Sequence, residues 1–200
     1  MKPARTPLVV ATGNAGKARE IAIVLKDLPF RVLSLADLGL AADYEETGLT
    51  FAANARGKAE FYSALTGHLT LADDSGLAVD ALNGAPGVVS ARFSGPGSND
   101  ARNNRELLRH LAAVPESRRG ARFICCMVLA RDGRAIKQVT GRVRGRILRE
   151  PRGRHGFGYD PVFFYRRLGR TFAELSGEVK NGFSHRGRAL RKMASYLAEK

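Results

Sequence analysis

Residues 121–148 constrain the fold more than any other stretch of the chain. Ala121 to Ala130 reads as a continuous, largely apolar strand, Asp132-Gly133 is a hairpin turn signal, and Ala135 to Leu148 reads as a long returning strand. Asp-Gly suits a two-residue hairpin because its central positions require positive φ, which these residues tolerate. Such a pair is antiparallel. The first half reads differently. Leu8-Val9-Val10-Ala11 is a short buried strand, followed by a glycine-containing turn from Thr12 to Gly16. From Lys17, residues Ile21, Val24, Leu25 and Leu28 recur at helical spacing until Pro29. Arg31 to Leu35 reads as a second strand. Thr50 to Leu65 reads as a helix despite Gly57, and Leu69 to Ala72 as a strand ending in Asp73-Asp74-Ser75-Gly76. Further on, Ser98 caps a helix from Asn99 to Val114, Pro161 to Tyr165 is a strand, and Ser184 caps a terminal helix through Leu190, Met193 and Leu197. Strands alternating with helices, then a hairpin, predict an α/β fold on a mixed sheet.

Length and composition fit this. Two hundred residues, 44% hydrophobic and 26% charged, suit one domain over 1–200, or two lobes sharing a core. A chain of this size buries roughly 70% of its unfolded surface and needs no disulfide or metal to fold. No apolar run spans a membrane, and Leu8 to Thr12 is too short for a signal-peptide core behind the basic N-terminus. Adjacent Cys125 and Cys126 should project from opposite faces of a strand, reduced, as expected in a cytoplasmic protein.

The net charge of +14 is unevenly spread. Residues 1–100 hold 9 basic and 11 acidic side chains, and residues 101–200 hold 24 and 8. Such asymmetry makes nucleic acid the first suspect, with a small anionic substrate as the alternative. Aromatics are not interleaved with the arginines between Arg142 and Arg154, which counts against nucleic acid. Arg142, Arg144 and Arg146 alternate and so share one strand face. That face is either simply solvated or an electropositive collar for anions.

Four segments carry candidate chemistry. Thr12-Gly13-Asn14-Ala15-Gly16-Lys17 is a strand–turn–helix junction whose backbone N–H groups and lysine suit a phosphate. It is not a P-loop, because Ala11 and Ala18 stand where glycine and a hydroxyl residue are required. Glu45-Glu46 and Asp73-Asp74-Ser75-Gly76 offer carboxylates of the kind Mg²⁺ prefers, although each also reads as turn or solvated-surface chemistry. Gly156-Phe157-Gly158-Tyr159-Asp160-Pro161 places aromatics among glycines, suited either to stacking on a flat base or to a turn with core aromatics. Lys180 and Ser184-His185-Arg186-Gly187 put cations at a helix start, where the dipole prefers acids.

In this order, with Gly84-Ala85-Pro86-Gly87 and Ser90-Ala91-Arg92 between them, these segments resemble the inosine triphosphate pyrophosphatase family from Leu8 to Leu197. The resemblance implies an elongated mixed sheet with flanking helices, two lobes and an active site in the cleft between them. It implies a cytoplasmic homodimer that uses Mg²⁺ to split ITP, dITP or XTP into monophosphate and pyrophosphate, with neither nucleic acid nor membrane as partner. Thr12, Gly13, Asn14, Ala15, Gly16 and Lys17 would hold the triphosphate, helped by Lys58, with Ser75 touching substrate. Asp74 would bind metal and act as general base, with Glu46 and then Asp73 as further metal carboxylates. Phe157, Gly158, Tyr159 and Asp160 would shape the base pocket, and Lys180, His185 and Arg186 would read the base edge. A related enzyme acting on modified pyrimidine triphosphates is the competing expectation. His155, directly before Gly156, departs from the pattern and is either an extra substrate contact or a solvated loop histidine.

Overall fold

The computed structural model describes residues 5–199, so positions 1–4 of the basic N-terminus lie outside the described residues. Seven strands form one mixed sheet in the order β2-β1-β3-β4-β5-β6-β7. They are β1 (Thr6–Ala11), β2 (Phe30–Ser34), β3 (Leu69–Val79), β4 (Gly120–Arg131), β5 (Arg134–Ile147), β6 (Phe163–Tyr165) and β7 (Arg170–Thr171). Strand β1 pairs in parallel with β2 and β3, whereas β6 pairs antiparallel with β5 and β7. The helices are α1 (Ala15–Leu25), α2 (Phe51–Thr66), α3 (Asp100–His110), α4 (Gly177–Phe183) and α5 (His185–Ala198). Parallel neighbours need crossovers, and α1 and α2 supply them. No described helix is long and apolar enough to cross a membrane.

The largest departure from the expected elements is β3. Its Asp-Asp-Ser-Gly has turn composition, yet the chain stays extended through Val79. Gly76 marks a close approach, because a Cβ there would overlap Ser90 Oγ and lie 2.6 Å from the Gly87 carbonyl oxygen. Helix α3 stops at His110 rather than Val114. Helix α4 and strand β7, seven and two residues long, are too short to show a period and have no counterpart among the expected elements.

Two compact units divide the chain: residues 1–74, 125–141 and 186–200 form the first, and residues 75–124 and 142–185 the second. In the first unit, strand alternation sorts side chains into two cores. Leu8 and Val10 of β1 join Cys125, Met127 and Leu129 of β4 beneath Ile21 and Leu25 of α1 and Leu190 and Met193 of α5. Val9 and Ala11 join Cys126, Val128 and Ala130 beneath Ala55, Ala59 and Tyr62 of α2. The two cysteines thus face opposite cores, both buried and both free thiols, as their adjacency predicts. The second unit has one core, where Phe123, Val143, Phe163 and Phe172 meet Leu107 of α3 and Leu111 just past its end. Buried Arg119 staples it, donating to the carbonyls of Ile147 (2.9 Å), Leu111 (2.6 Å) and Leu148 (2.9 Å).

Candidate active site

In the first unit the Thr12–Gly16 turn is closed by its own side chains. Asn14 caps α1, its Oδ1 accepting from Lys17 N at 3.0 Å, while Asn14 N donates to Thr12 Oγ1 at 3.2 Å. Gly13, Asn14 and Ala15 remain exposed, and a Cβ at Gly13 would come 2.9 Å from that of Ala42. The exposed turn thus presents a helix N-terminus, and Lys17 projects from the first turn, the arrangement that attracts an anion. Its Nζ lies 3.4 Å from Asp73 Oδ2.

Alternation along β3 separates the two aspartates. Asp73 follows Leu71 to the α1–α5 side, where Arg186 Nε and Nη2 each donate to its Oδ2 at 3.3 Å and the Cys125 thiol lies 3.7 Å away. Arg186 Nη1 also donates to Glu20 Oε2 at 2.5 Å. Burial works to raise the Asp73 pKa, but Lys17, Arg186 and Lys58 together outweigh it and hold the carboxyl below its ordinary value. The Arg186 guanidinium, opposed by burial, is held above its own by Asp73 and Glu20. Where the resemblance put Arg186 at the base edge, the structure gives it these two carboxylates as partners.

Asp74 follows Ala72 to the α2 side. Its Oδ2 accepts from Asn54 Nδ2 at 3.0 Å, and Asn54 Oδ1 accepts from Gly48 N at 2.7 Å. Asn54, only 2% exposed, therefore ties the loop that carries Glu46 to the strand that carries Asp74. Glu46 is ion-paired with Lys58 of α2. The same loop is pinned by Tyr62, whose hydroxyl accepts from Asp43 N at 3.1 Å and donates to the Ala41 carbonyl at 2.9 Å. Tyr44 lies over Gly57, where a Cβ would overlap its hydroxyl. That contact accounts for a glycine inside a helix, which costs roughly 1 kcal/mol relative to alanine. Burial, then the neighbouring Glu46 charge, push the Asp74 pKa up, against the Asn54 hydrogen bond, Lys17 and Lys58. The Lys58 pKa is also raised, as Asp73 and Glu46 overcome the burial that would lower it.

A divalent cation fits this donor set in part. Mg²⁺ needs only one or two carboxylates beside substrate phosphates and water. Glu46 and Asp74 are mutually repelling hard-oxygen donors, and Asp73 Oδ1 is buried with no hydrogen-bond partner among the described residues. The three expected carboxylates do not stand as one group, however. Among the described residues no cluster of three or more His, Cys, Asp or Glu is placed to hold a metal ion. Asp73 is occupied chiefly with cations.

In the second unit, the Gly156–Pro161 loop is tied to α4. Asp160 forms a buried ion pair with Lys180, and its Oδ2 accepts from Phe157 N at 2.9 Å. Gly156 is required there, since its φ is +75° and a Cβ would overlap the Asp160 carboxylate. The Lys180 ammonium sits 4.7 Å from the Phe157 ring centre. Tyr159 is buried and donates to the Ser90 carbonyl at 2.8 Å, and burial raises its pKa. Gly158 is held by Asp100 Oδ2 at its N–H (2.7 Å) and by Asn104 Nδ2 at its carbonyl (2.8 Å). His185 stacks on Phe123 with ring centres 4.5 Å apart and planes 9° from parallel. Ser75 is half-buried and His155 exposed.

Residue patterns missed Asn54, Glu20, Tyr44, Asp100 and Asn104. Two had a legible signal. Asn54 is a poor helix former at the end of the first turn of α2, and Glu20 is an acid one residue from core Ile21. Local rules broken in this way point to a partner elsewhere.

The comparisons with known proteins agree with the resemblance. A family model described as the Ham1 family matches residues 8–196. A dITP/XTP pyrophosphatase of Geobacter sulfurreducens is 50% identical over 192 residues, 96% of each chain. One from Bacillus licheniformis is 47% identical over 190 residues, 95% of this chain and 97% of that one. The solved structure of a HAM1 protein from Coxiella burnetii is 40% identical with a TM-score of 0.88, covering 98% of this chain and 100% of that one. A nucleoside-triphosphatase / dITP/XTP pyrophosphatase from Mycobacterium abscessus is 44% identical with a TM-score of 0.75, covering 94% and 98%.

Proposed function

The chain belongs to the Ham1 family, and from that premise we propose that it is a nucleoside triphosphate pyrophosphatase. Its substrates in this reading are dITP, XTP and ITP, cleaved to the monophosphate and pyrophosphate with Mg²⁺. The observation that carries the reading is the pairing of opposites in the first unit. Asp74, whose proton affinity is raised by burial and by Glu46, lies in the same unit as an exposed helix-capped turn and Lys17.

Thr12 to Gly16 and Lys17 would take the triphosphate, with Lys58 adding charge and Ser75 a polar contact. Glu46 and Asp74 would hold Mg²⁺, which when bound neutralises phosphate charge and lowers the pKa of a coordinated water. Asp74 accepts the proton from the attacking water, a role its raised pKa suits better than an ordinary aspartate's would. The new bond joins the water oxygen to phosphorus, the α–β phosphoanhydride bond breaks, and the electron pair leaves with pyrophosphate. Asp73 in this reading is no metal ligand but the anion that fixes Lys17 and Arg186.

Lys180 and His185 would address the base, and Phe157 would offer a flat neighbour, with Asp160 holding the loop to Lys180. A 6-oxo group accepts hydrogen bonds, whereas the 6-amino group of adenine donates them. Donors at that edge therefore leave adenine with buried donor facing donor, a mismatch that discriminates by orders of magnitude. The same reading makes the two units one working domain of a cytoplasmic homodimer, which light scattering tests.

A substrate panel with and without Mg²⁺ tests the whole. Pyrophosphate release from dITP, XTP and ITP should far exceed that from ATP, GTP and methylated pyrimidine triphosphates. Equal rates across the panel remove the base reading. Full activity in a chelator removes the metal.

A further inference from the structure

The second unit has a feature that the proposed reaction does not use. Its core lies on one side of the sheet, with Phe123 of β4 and Val143 of β5 inside. Alternation sends Arg122 and Arg144, their chain neighbours, to the other side. There a cavity of about 210 Å³ opens, lined by Asp80, Gly120, Arg122, Arg144, Gly145 and Arg166. Strands β4 and β5 are neighbours in the sheet, and Arg166 follows β6 on the far side of β5. Three arginines thus line one hollow, with a single acid among the lining residues.

That acid is already committed. Asp80 Oδ1 lies 3.3 Å from Arg122 Nη1. Arg144 and Arg166 have no ion pair or hydrogen bond to any described residue, so their charge is uncompensated. More positive charge lies alongside on β5, in Arg142 and in Arg146, which pairs with Glu116 at 2.9 Å. Like charges gathered on one face of adjacent strands destabilise the sheet. Glycine helps to keep the hollow open. At Gly120 a Cβ would come 2.8 Å from Asp80 Oδ2, whereas the bare Gly145 faces the core, where its Cβ would come within 2.6 Å of the Phe163 ring.

We propose that this cavity is a binding site for a compact phosphate polyanion of the inorganic pyrophosphate class. The planar fork of arginine matches phosphate oxygens in bidentate fashion. A hollow of this size is smaller than the roughly 300–1,000 Å³ of a typical small-molecule pocket, so it suits a diphosphate and not a whole nucleoside. A dianion or trianion there relieves the repulsion between Arg122, Arg144 and Arg166. The site shares no residue with the catalytic centre or base pocket, so it stands or falls apart from the choice of substrate.

The test is calorimetric titration of inorganic pyrophosphate into the full-length protein in EDTA. Lys17→Ala serves as the parent, to silence the proposed triphosphate turn. The parent should bind pyrophosphate saturably, with one site. Adding Arg144→Gln and Arg166→Gln together should weaken binding by at least about tenfold, the cost of one lost charge-assisted contact. Arg131→Gln, a neutralised arginine elsewhere, should leave it unchanged. ATP in place of pyrophosphate distinguishes a nucleotide tail from the free anion as the source of the phosphates. The Arg144→Gln/Arg166→Gln change in an otherwise wild-type chain should leave nucleotide hydrolysis intact. Unaltered pyrophosphate affinity in that double variant, or no saturable binding in the parent, overturns the proposal.

Discussion

Replacing Asn54 by alanine should damage both stability and turnover, and the structure sets the scale of each. The side chain is 2% exposed and makes two hydrogen bonds: from Nδ2 to Asp74 Oδ2 at 3.0 Å, and to Oδ1 from Gly48 N at 2.7 Å. A hydrogen bond to a charged group contributes roughly 1.5–3 kcal/mol and a neutral one roughly 0.5–1.5 kcal/mol. Gly48 is half-buried, so water recovers part of the second. The loss should total about 2–3 kcal/mol, which for 200 residues lowers Tm by roughly 5–10 °C. Asn54→Asp separates geometry from bonding. It keeps the shape and can still accept from Gly48, but it places an acceptor where Asp74 needs a donor. If Asn54 positions Asp74, both variants should lower kcat more than they raise KM, and Asn54→Asp should be the slower of the two. Scanning calorimetry and steady-state pyrophosphate release measure both effects. Wild-type kcat in Asn54→Ala, whatever its Tm, would refute a positioning role, and wild-type Tm would refute the energetic argument.

Three further outcomes follow from the same geometry. Asp74→Asn should abolish pyrophosphate release while leaving Tm unchanged or higher, because burial and Glu46 both penalise the charge it removes; a lower Tm contradicts this. Asp73 has its folded pKa depressed, so its contribution is fully present above its unfolded value of about 4 and is lost as pH falls through the lower folded value. Urea unfolding between pH 7 and pH 3 should therefore show less acid destabilisation in Asp73→Asn, which at pH 7 is itself about 3–5 kcal/mol less stable with Arg186 and Lys17 left short of a partner. Gly57→Ala should destabilise by about 1–3 kcal/mol, against the usual helix preference for alanine, because the new Cβ overlaps the Tyr44 hydroxyl; Tyr44→Phe in the same chain should restore part of the loss in thermal melts.

How far the site could be read from the chain depends on what kind of physics made it. The turn at Thr12–Lys17 was legible because it is local: the Asn14 cap and the Lys17 position lie within one strand–turn–helix junction. The opposed cysteines were legible because a strand has period two, and Cys125 and Cys126 obey it. That same period applies to Asp73 and Asp74, where the turn composition of the motif hides it. Read as turn residues, the two carboxylates can converge. Held in an extended β3, they take different hydrogen-bond partners, Arg186 for Asp73 and Asn54 for Asp74, while Lys17 and Lys58 act on both. Asp-Ser-Gly favours turns by composition, yet the chain stays extended there, with Gly76 close against Ser90, 14 residues further along. Glu20 illustrates the same limit. Its partner Arg186 is 166 residues away, and no local rule pairs them. What joins these residues is burial: Glu20, Asp73 and Arg186 are each no more than 7% exposed, and charges held so far from water survive only in mutual contact. A buried charge in an apolar pattern was thus the one readable sign of the network, and it identifies a residue with a partner without saying which.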